Sequence, residues 1–217
     1  MAKRAYGQFC GLAHALELIG ERWTLLIVRD LLVGPRRFSD LRRGLPRIPT
    51  NILSARLKEL EANGIVTRRV LPRPASAVVY ELTAYGSDLE PVVLTLGRWG
   101  ARSMLNPGPE DIVTTDSMIV ALRSTFRPEY ASGPPLSFVV HLGPVTFHAK
   151  VADGELDAGA GPLDDPDLTI VSGPVLRDIM AGAVEPAEAV GGGMVQLTGD
   201  PVLLDRFAEL FAIPPAP

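Results

Sequence analysis

The chain has 217 residues, 47% hydrophobic and 21% charged, and no uninterrupted apolar run near the roughly 18 residues a membrane helix needs. This excludes a disordered or membrane-spanning chain, and a length about one and a half times that of an ordinary domain favours two domains. The net charge of −4 hides an asymmetry, because residues 1–105 carry 16 Lys and Arg against 9 Asp and Glu while residues 106–217 carry 5 against 16.

A basic half joined to an acidic half points to a polyanionic partner for the first half alone. At the N-terminus, Lys3 and Arg4 precede a segment broken by Gln8, His14 and Glu17, which lacks the apolar centre of a secretory signal, so a cytoplasmic protein without membrane contact is expected. Cys10 is the only cysteine and there are three histidines, so neither an internal disulfide nor a Cys/His zinc site is expected.

Residues 12–19 and 22–32 repeat apolar side chains at helical spacing, with Trp23, Leu26, Ile27 and Leu31 on one stripe. Gly34-Pro35 stops the second helix, Phe38 reads as a short bridge, and Ser39 is placed to cap a brief helix ending near Leu45-Pro46. A helix over 51–62 follows, with Leu53, Leu57 and Leu60 inward, Thr50 near its cap and Asn63-Gly64 as its stop. Two alternating strands, 65–71 and 77–82, flank a Pro72 to Ser76 turn. Helix, turn, helix and two-stranded ribbon make a winged helix-turn-helix. A final helix over 87–104 carries Leu89, Val92, Val93, Leu96, Gly100 and Met104 on one face, which is left for dimerisation once the small core is full.

Two prolines and a glycine at 106–110 mark a linker where the charge changes sign, giving domains 1–105 and 111–217. Beyond it the pattern predicts a helix over 115–126, strands over 136–142 and 145–151, and a hairpin turn at Asp153-Gly154. A strand over 168–171, helices over 175–183 and 186–190, a strand over 194–198 and a helix over 201–211 capped by Asp200 complete it. The fold class expected for the whole chain is α+β, its second half a largely antiparallel sheet covered by helices. The tail at 214–217 reads as a frayed end.

The helix at 51–62 divides as a recognition helix must. Leucines hold it to the domain while Thr50, Asn51, Ser54, Ala55 and Lys58 share the outer face, where short polar groups reach base edges in a major groove. Arg36, Arg37, Arg56, Lys58, Arg68 and Arg73 surround it, with Arg42, Arg43 and Arg69, and are expected on phosphates, which supply affinity more than sequence reading. The double-stranded DNA site of a two-fold protein is an inverted repeat.

These residues carry a resemblance. Phe9-Cys10, the runs 15–32, 34–41 and 48–61, Gly64-Ile65-Val66 and Tyr80-Glu81-Leu82-Thr83 resemble the HxlR-type family of bacterial winged-helix regulators over residues 6–104. The resemblance implies a homodimer on inverted-repeat operators, held by the first and last helices of this half. Gly11 stands where the family usually has proline after the cysteine.

In the second half, Asp153-Gly154, Pro166 to Ile170, Met180-Ala181-Gly182, Pro186 to Ala189, Gly193 through Leu197 to Asp200 and Leu203-Leu204 resemble the sterol-carrier-protein-like fold. That implies an apolar tunnel for lipids or other hydrophobic small molecules. Phe126, Phe138, Phe147, Met180, Met194 and Phe211 either line such a tunnel or fill the core.

Catalytic and cofactor motifs are absent: there is no G-x-S-x-G elbow and no P-loop, and Gly159-Ala160-Gly161-Pro162 lacks the third glycine and the helix of a dinucleotide site. His141 and His148 have no acidic or cysteine partner nearby in sequence. The expected function is a homodimeric DNA-binding transcription regulator, not an enzyme, controlled by a hydrophobic small molecule in its second domain. Two alternatives stand beside it. One is a regulator that senses oxidants through Cys10, and the other is a lipid carrier or small-molecule enzyme with an accessory winged helix.

Overall fold

The computed structural model describes residues 5–72, 76–104, 107–108 and 110–215. The proline-rich turn around Arg73, part of the 106–110 linker and the last two residues of the tail lie outside them. The chain forms two compact units, Met1–Val93 and Leu94–Pro217.

In the first unit, α1 (Gly11–Ile19), α2 (Thr24–Leu32), α3 (Phe38–Gly44) and α4 (Thr50–Ala62) precede the antiparallel pair β1 (Val66–Val70) and β2 (Val78–Leu82) and the short α5 (Ala84–Ser87). Ile27, Val28, Leu31, Leu41, Leu53, Leu57, Leu60, Ile65 and Val79 are buried together. Removing such a side chain down to alanine costs about 2 to 5 kcal/mol. Gly64, at φ +69, ends α4 in the left-handed conformation that glycine adopts without strain. This is a winged helix-turn-helix.

Four local expectations are corrected. α2 begins at Thr24, not Arg22, because Trp23 has φ +81, outside the helical region. Consequently Trp23 is half-buried and Leu26 exposed, and the inward stripe is Ile27, Val28 and Leu31. α3 is capped at Arg37, whose backbone N–H donates to Asp40 Oδ2 at 3.1 Å, so Ser39 lies inside the helix. The bridging residue is Arg36 and not Phe38. Its N–H donates to Tyr80 O at 2.9 Å and its carbonyl accepts from Tyr80 N–H at 2.8 Å, an isolated antiparallel bridge to β2 of the wing.

The expected helix over 87–104 is instead α5 followed by α6 (Glu90–Ala101). The break follows from close approach: a Cβ on Gly86 would stand 2.0 Å from the carbonyl oxygen of Ile65, so the chain is pinned to the start of the wing there. Thr83 reinforces this, since its Oγ1 donates to Gly64 O at 2.6 Å and accepts from Gly86 N–H at 3.0 Å.

In the second unit, α7 (Thr115–Thr125) is followed by β3 (Leu136–Leu142), β4 (Val145–Ala152), β5 (Glu155–Ala160) and β6 (Leu168–Ser172). Then come α8 (Val175–Met180), α9 (Pro186–Gly191), β7 (Val195–Gly199) and α10 (Leu203–Leu210). The five strands lie in the order β5-β4-β3-β6-β7, antiparallel except for β3 beside β6. β5 returns from the hairpin turn expected at Asp153-Gly154; its extent is not legible in sequence, because Asp157-Ala158-Gly159-Ala160 has weak strand propensity and is held by pairing with β4.

The pleat puts Phe138, Val140, Phe147, Ala149, Leu168 and Ile170 on one face, all buried. α7 packs on β4 and β5 with Ile119, Val120 and Leu122 buried, and α10 adds Leu204, Phe207 and Leu210. α10 starts two residues later than expected, and Asp200 serves the turn before it, its Oδ1 accepting from Val202 N–H at 3.0 Å. Among the described residues no helix is long and apolar enough to cross a membrane.

Candidate nucleic-acid interface

α4 turns one face inward and leaves the opposite one to solvent, because leucines at 53, 57 and 60 recur at three- and four-residue intervals. Thr50, Asn51 and Lys58 are exposed, and Ser54 and Ala55 half-exposed. Pro49 occupies the position before the helix, and its carbonyl accepts the Leu53 N–H at 2.9 Å. The first-turn amides of α4 therefore open beside Thr50 and Asn51, where the helix dipole favours an anion.

The basic residues separate into several kinds. Arg37 and Arg68 are exposed, the first at the start of α3 and the second on β1 opposite Tyr80. Arg42 and Arg43 are exposed on α3, with Arg43 3.6 Å from Asp40. Arg36 is half-buried, its backbone committed to the wing and its Nη1 donating to Pro35 O at 3.2 Å. Arg69 is clamped by Glu81 across the wing, with its Nε 3.0 and 2.9 Å from the two carboxylate oxygens. Arg73 lies outside the described residues.

Arg56 departs from expectation. Its side chain is only 15% exposed, Nη2 donates to Glu21 Oε2 at 3.0 Å, and Nη1 is paired with Glu59. Two carboxylates balance its charge, so it ties α4 to the corner before α2 instead of reaching toward a phosphate. Charge alone suggested a contact; the partner that cancels it lies 35 residues earlier in the chain.

Cys10 stands exposed at the N-cap of α1. The backbone amides of Ala13 and Leu12 stabilise its thiolate and hold its pKa below the ordinary cysteine value. Phe9, Leu12 and Leu16 are exposed near it in sequence, and Val92, Leu96 and Trp99 are exposed along α6. Such apolar surface is what a partner would cover.

Of the proposed ligand-contacting residues, the structure brings Phe126, Phe138 and Phe211 together. Their ring centroids are 5.8 Å (Phe126 to Phe211) and 6.4 Å (Phe138 to Phe211) apart. Phe207, which sequence reasoning missed, completes the cluster at 5.3 Å from Phe138 and 4.8 Å from Phe211. Its signal was the four-residue spacing from Phe211. Phe147 is buried on the same sheet face, Met180 is half-buried at the end of α8, and Met194 is 41% exposed ahead of β7.

His141 and His148 hold local partners: Nδ1 of His141 is 2.9 Å from Thr146 Oγ1, and Nδ1 of His148 is 3.0 Å from Gly161 O. Among the described residues no group of three or more His, Cys, Asp or Glu could hold a metal.

Residues 18–107 match the model of the HxlR-like helix-turn-helix family. The HTH-type transcriptional regulator YodB of Bacillus subtilis is 42% identical over 94 residues, covering 43% of this chain and 83% of YodB. An HTH-type transcriptional regulator of Synechocystis is 36% identical over 95 residues, 44% of this chain and 70% of the relative. Among solved structures, the redox regulator HypR in its oxidized form is 36% identical, covers 44% of this chain and 99% of HypR, and superposes with a TM-score of 0.42. With four-fifths of YodB matched at this identity and the winged helix in place, the chain belongs to the HxlR-like helix-turn-helix family of DNA-binding transcriptional regulators.

Proposed function

We propose that the protein is a homodimeric regulator that binds an inverted repeat of double-stranded DNA and is controlled by a hydrophobic small molecule in its second unit. The observation that carries the reading is α4, which is anchored by three buried leucines and presents Thr50, Asn51, Ser54 and Lys58 outward, with Arg37 and Arg68 on neighbouring elements. Asn51 and Ser54 read base edges, while Lys58, Arg37, Arg68, Arg36 and Arg73 serve the phosphates. Two copies join through the exposed apolar faces of α1 and α6.

The second unit is read as a sterol-carrier-like sensor. Its helices cover one sheet face, and Phe126, Phe138, Phe147, Met180 and Phe211 border the apolar interior that a ligand would enter by displacing ring contacts. Arg98 Nε donates to Ser124 O at 2.6 Å and its Nη2 to Phe126 O at 2.8 Å, while Arg177 Nη2 donates to Ala101 O at 3.2 Å. The last turns of α6 are thus fastened to α7 and α8, and a ligand that shifts those helices shifts part of the dimer face. A coupling of about 1 to 3 kcal/mol would change operator affinity roughly 5- to 150-fold.

Selection of duplexes from a random pool tests this reading. The outcome expected is an inverted repeat with half-site centres about one helical turn, roughly 34 to 36 Å, apart. Recovery of unrelated sequences with no repeat would contradict it.

A second reading rests on the exposed, acidified thiol of Cys10 at the base of the α1 face. Oxidation there would alter dimer packing directly. Unchanged DNA binding by Cys10→Ser under diamide, alongside loss of binding by the parent, would favour it over the ligand reading.

A further inference from the structure

The chain stays tied down after α10. Leu210 O accepts from Arg127 N–H at 2.9 Å and Ala212 N–H donates to Thr125 O at 3.1 Å, an antiparallel bridge between Phe211 and Phe126. Ile213 N–H then donates to Met180 O at 2.8 Å, and Pro215 O, which the sequence placed in a frayed end, accepts from Arg102 Nε at 2.8 Å. The segment thus meets the end of α7, the end of α8 and the residue that follows α6. We infer that residues 211–215 are a strap that carries movement in the aromatic interior of the second unit to the end of α6. The inference rests on the reading of that interior as the ligand site and names how a ligand there would reach the α6 face.

The inner end is set in the core. Phe211 is 0% exposed and Ile213 is buried, and the Phe211 ring lies 4.8 Å from that of Phe207 and 5.8 Å from that of Phe126. In so close-packed an interior, a ligand entering between these rings has to move Phe211 or its partners. The segment beyond is stiff. Pro214 and Pro215 hold φ near about −65°, and a residue before proline is confined to extended backbone, which restricts Ile213 and Pro214. A displacement is passed along such a segment, where a glycine-rich one would absorb it.

The outer end lies on the turn that bears Trp99. Arg102 is half-buried and its N–H donates to Trp99 O at 3.4 Å, while Leu96 and Trp99 are exposed along α6. From α8, Arg177 Nη2 donates to Ala101 O at 3.2 Å and also to Met104 O. Ile213 is bonded to Met180 at the end of the same α8. Movement of the strap therefore reaches residues 101–104 directly through Arg102 and again through α8.

Hydrogen exchange of the full chain, read at residues 102–104, tests the strap. Pro214→Gly with Pro215→Gly removes its stiffness and keeps the carbonyl that Arg102 meets. Arg102→Ala cuts the outer end, and Phe211→Leu loosens the inner end without emptying it. Each is expected to speed exchange at 102–104 by about 5-fold, the worth of one hydrogen bond. Phe211→Leu added to the double glycine variant is expected to contribute less than about half of its effect alone, because changes coupled through one path are not additive.

Full additivity, or exchange at 102–104 unchanged in both the double glycine variant and Arg102→Ala, would overturn the strap. Should Phe211→Leu fail to fold, those two variants, which lie outside the aromatic core, decide by themselves. These substitutions need no ligand, so their failure leaves the ligand reading standing. Oleate serves as the apolar probe for the ligand side. Protection of residues 138–140 in β3 by oleate, with faster exchange at 102–104 in the parent and not in the double glycine variant, is the result expected. The same protection with 102–104 unchanged in the parent would overturn the strap.

Discussion

If α4 reads DNA as proposed, its residues divide the labour of recognition, and Asn51 carries the sharpest consequence. It is exposed at the start of the helix, and its amide has the donor and acceptor pair that matches an adenine edge. Asn51→Ala is expected to lower discrimination among base variants of the selected duplex by about 1 to 3 kcal/mol while leaving random-sequence binding nearly unchanged, as competition measurements would show. Equal losses on both duplexes would assign Asn51 to the backbone instead. Cys10 makes a second prediction. The amides of Ala13 and Leu12 favour its thiolate, so its pKa is lowered and the reactive form persists to lower pH. Iodoacetamide labelling should therefore reach half its maximal rate below the value of about 8.5 for an ordinary cysteine. A midpoint at or above that value would show the amides to be without effect.

Among the elements, α4 was legible because Leu53, Leu57 and Leu60 keep the helical period and Asn63-Gly64 marks its end. Local pattern was less informative where the cause lay far along the chain. The inward turn of Arg56 depends on Glu21, the break between α5 and α6 on the Ile65 carbonyl, and β5 on its neighbour β4. Trp23 fitted the apolar stripe by spacing, but a single positive φ removed it. In the second unit the β3–β4 hairpin was legible from alternation, whereas the burial of Phe207 against Phe138 and Phe211 follows from how α10 meets the sheet. Phe207→Ala is expected to cost about 3 to 5 kcal/mol, whereas Lys150→Ala, on an exposed side chain of β4, should stay within about 0.5 kcal/mol. Chemical denaturation followed in the far ultraviolet measures both. Equal effects would mean that the aromatic cluster is not the core of this unit.

For the whole molecule, the charge changes sign near residue 105, while the chain divides into compact units between Val93 and Leu94. On the proposed reading, the arginine-rich half presents the recognition helix and wing, and the acidic half would be kept off the phosphates. The family relationship covers residues 18–107, and on the proposed reading two copies joined through exposed apolar residues of α1 and α6 would present two recognition helices to successive major grooves. The central claim is that a dimer, and not a single chain, engages the duplex. Native mass spectrometry of this 217-residue chain mixed with the duplex it selects tests that claim most directly. The account predicts a complex of two chains on one duplex, dissociating as a unit when salt is raised. One chain per duplex, or protein and duplex flying apart at the lowest salt that keeps both intact, would contradict it.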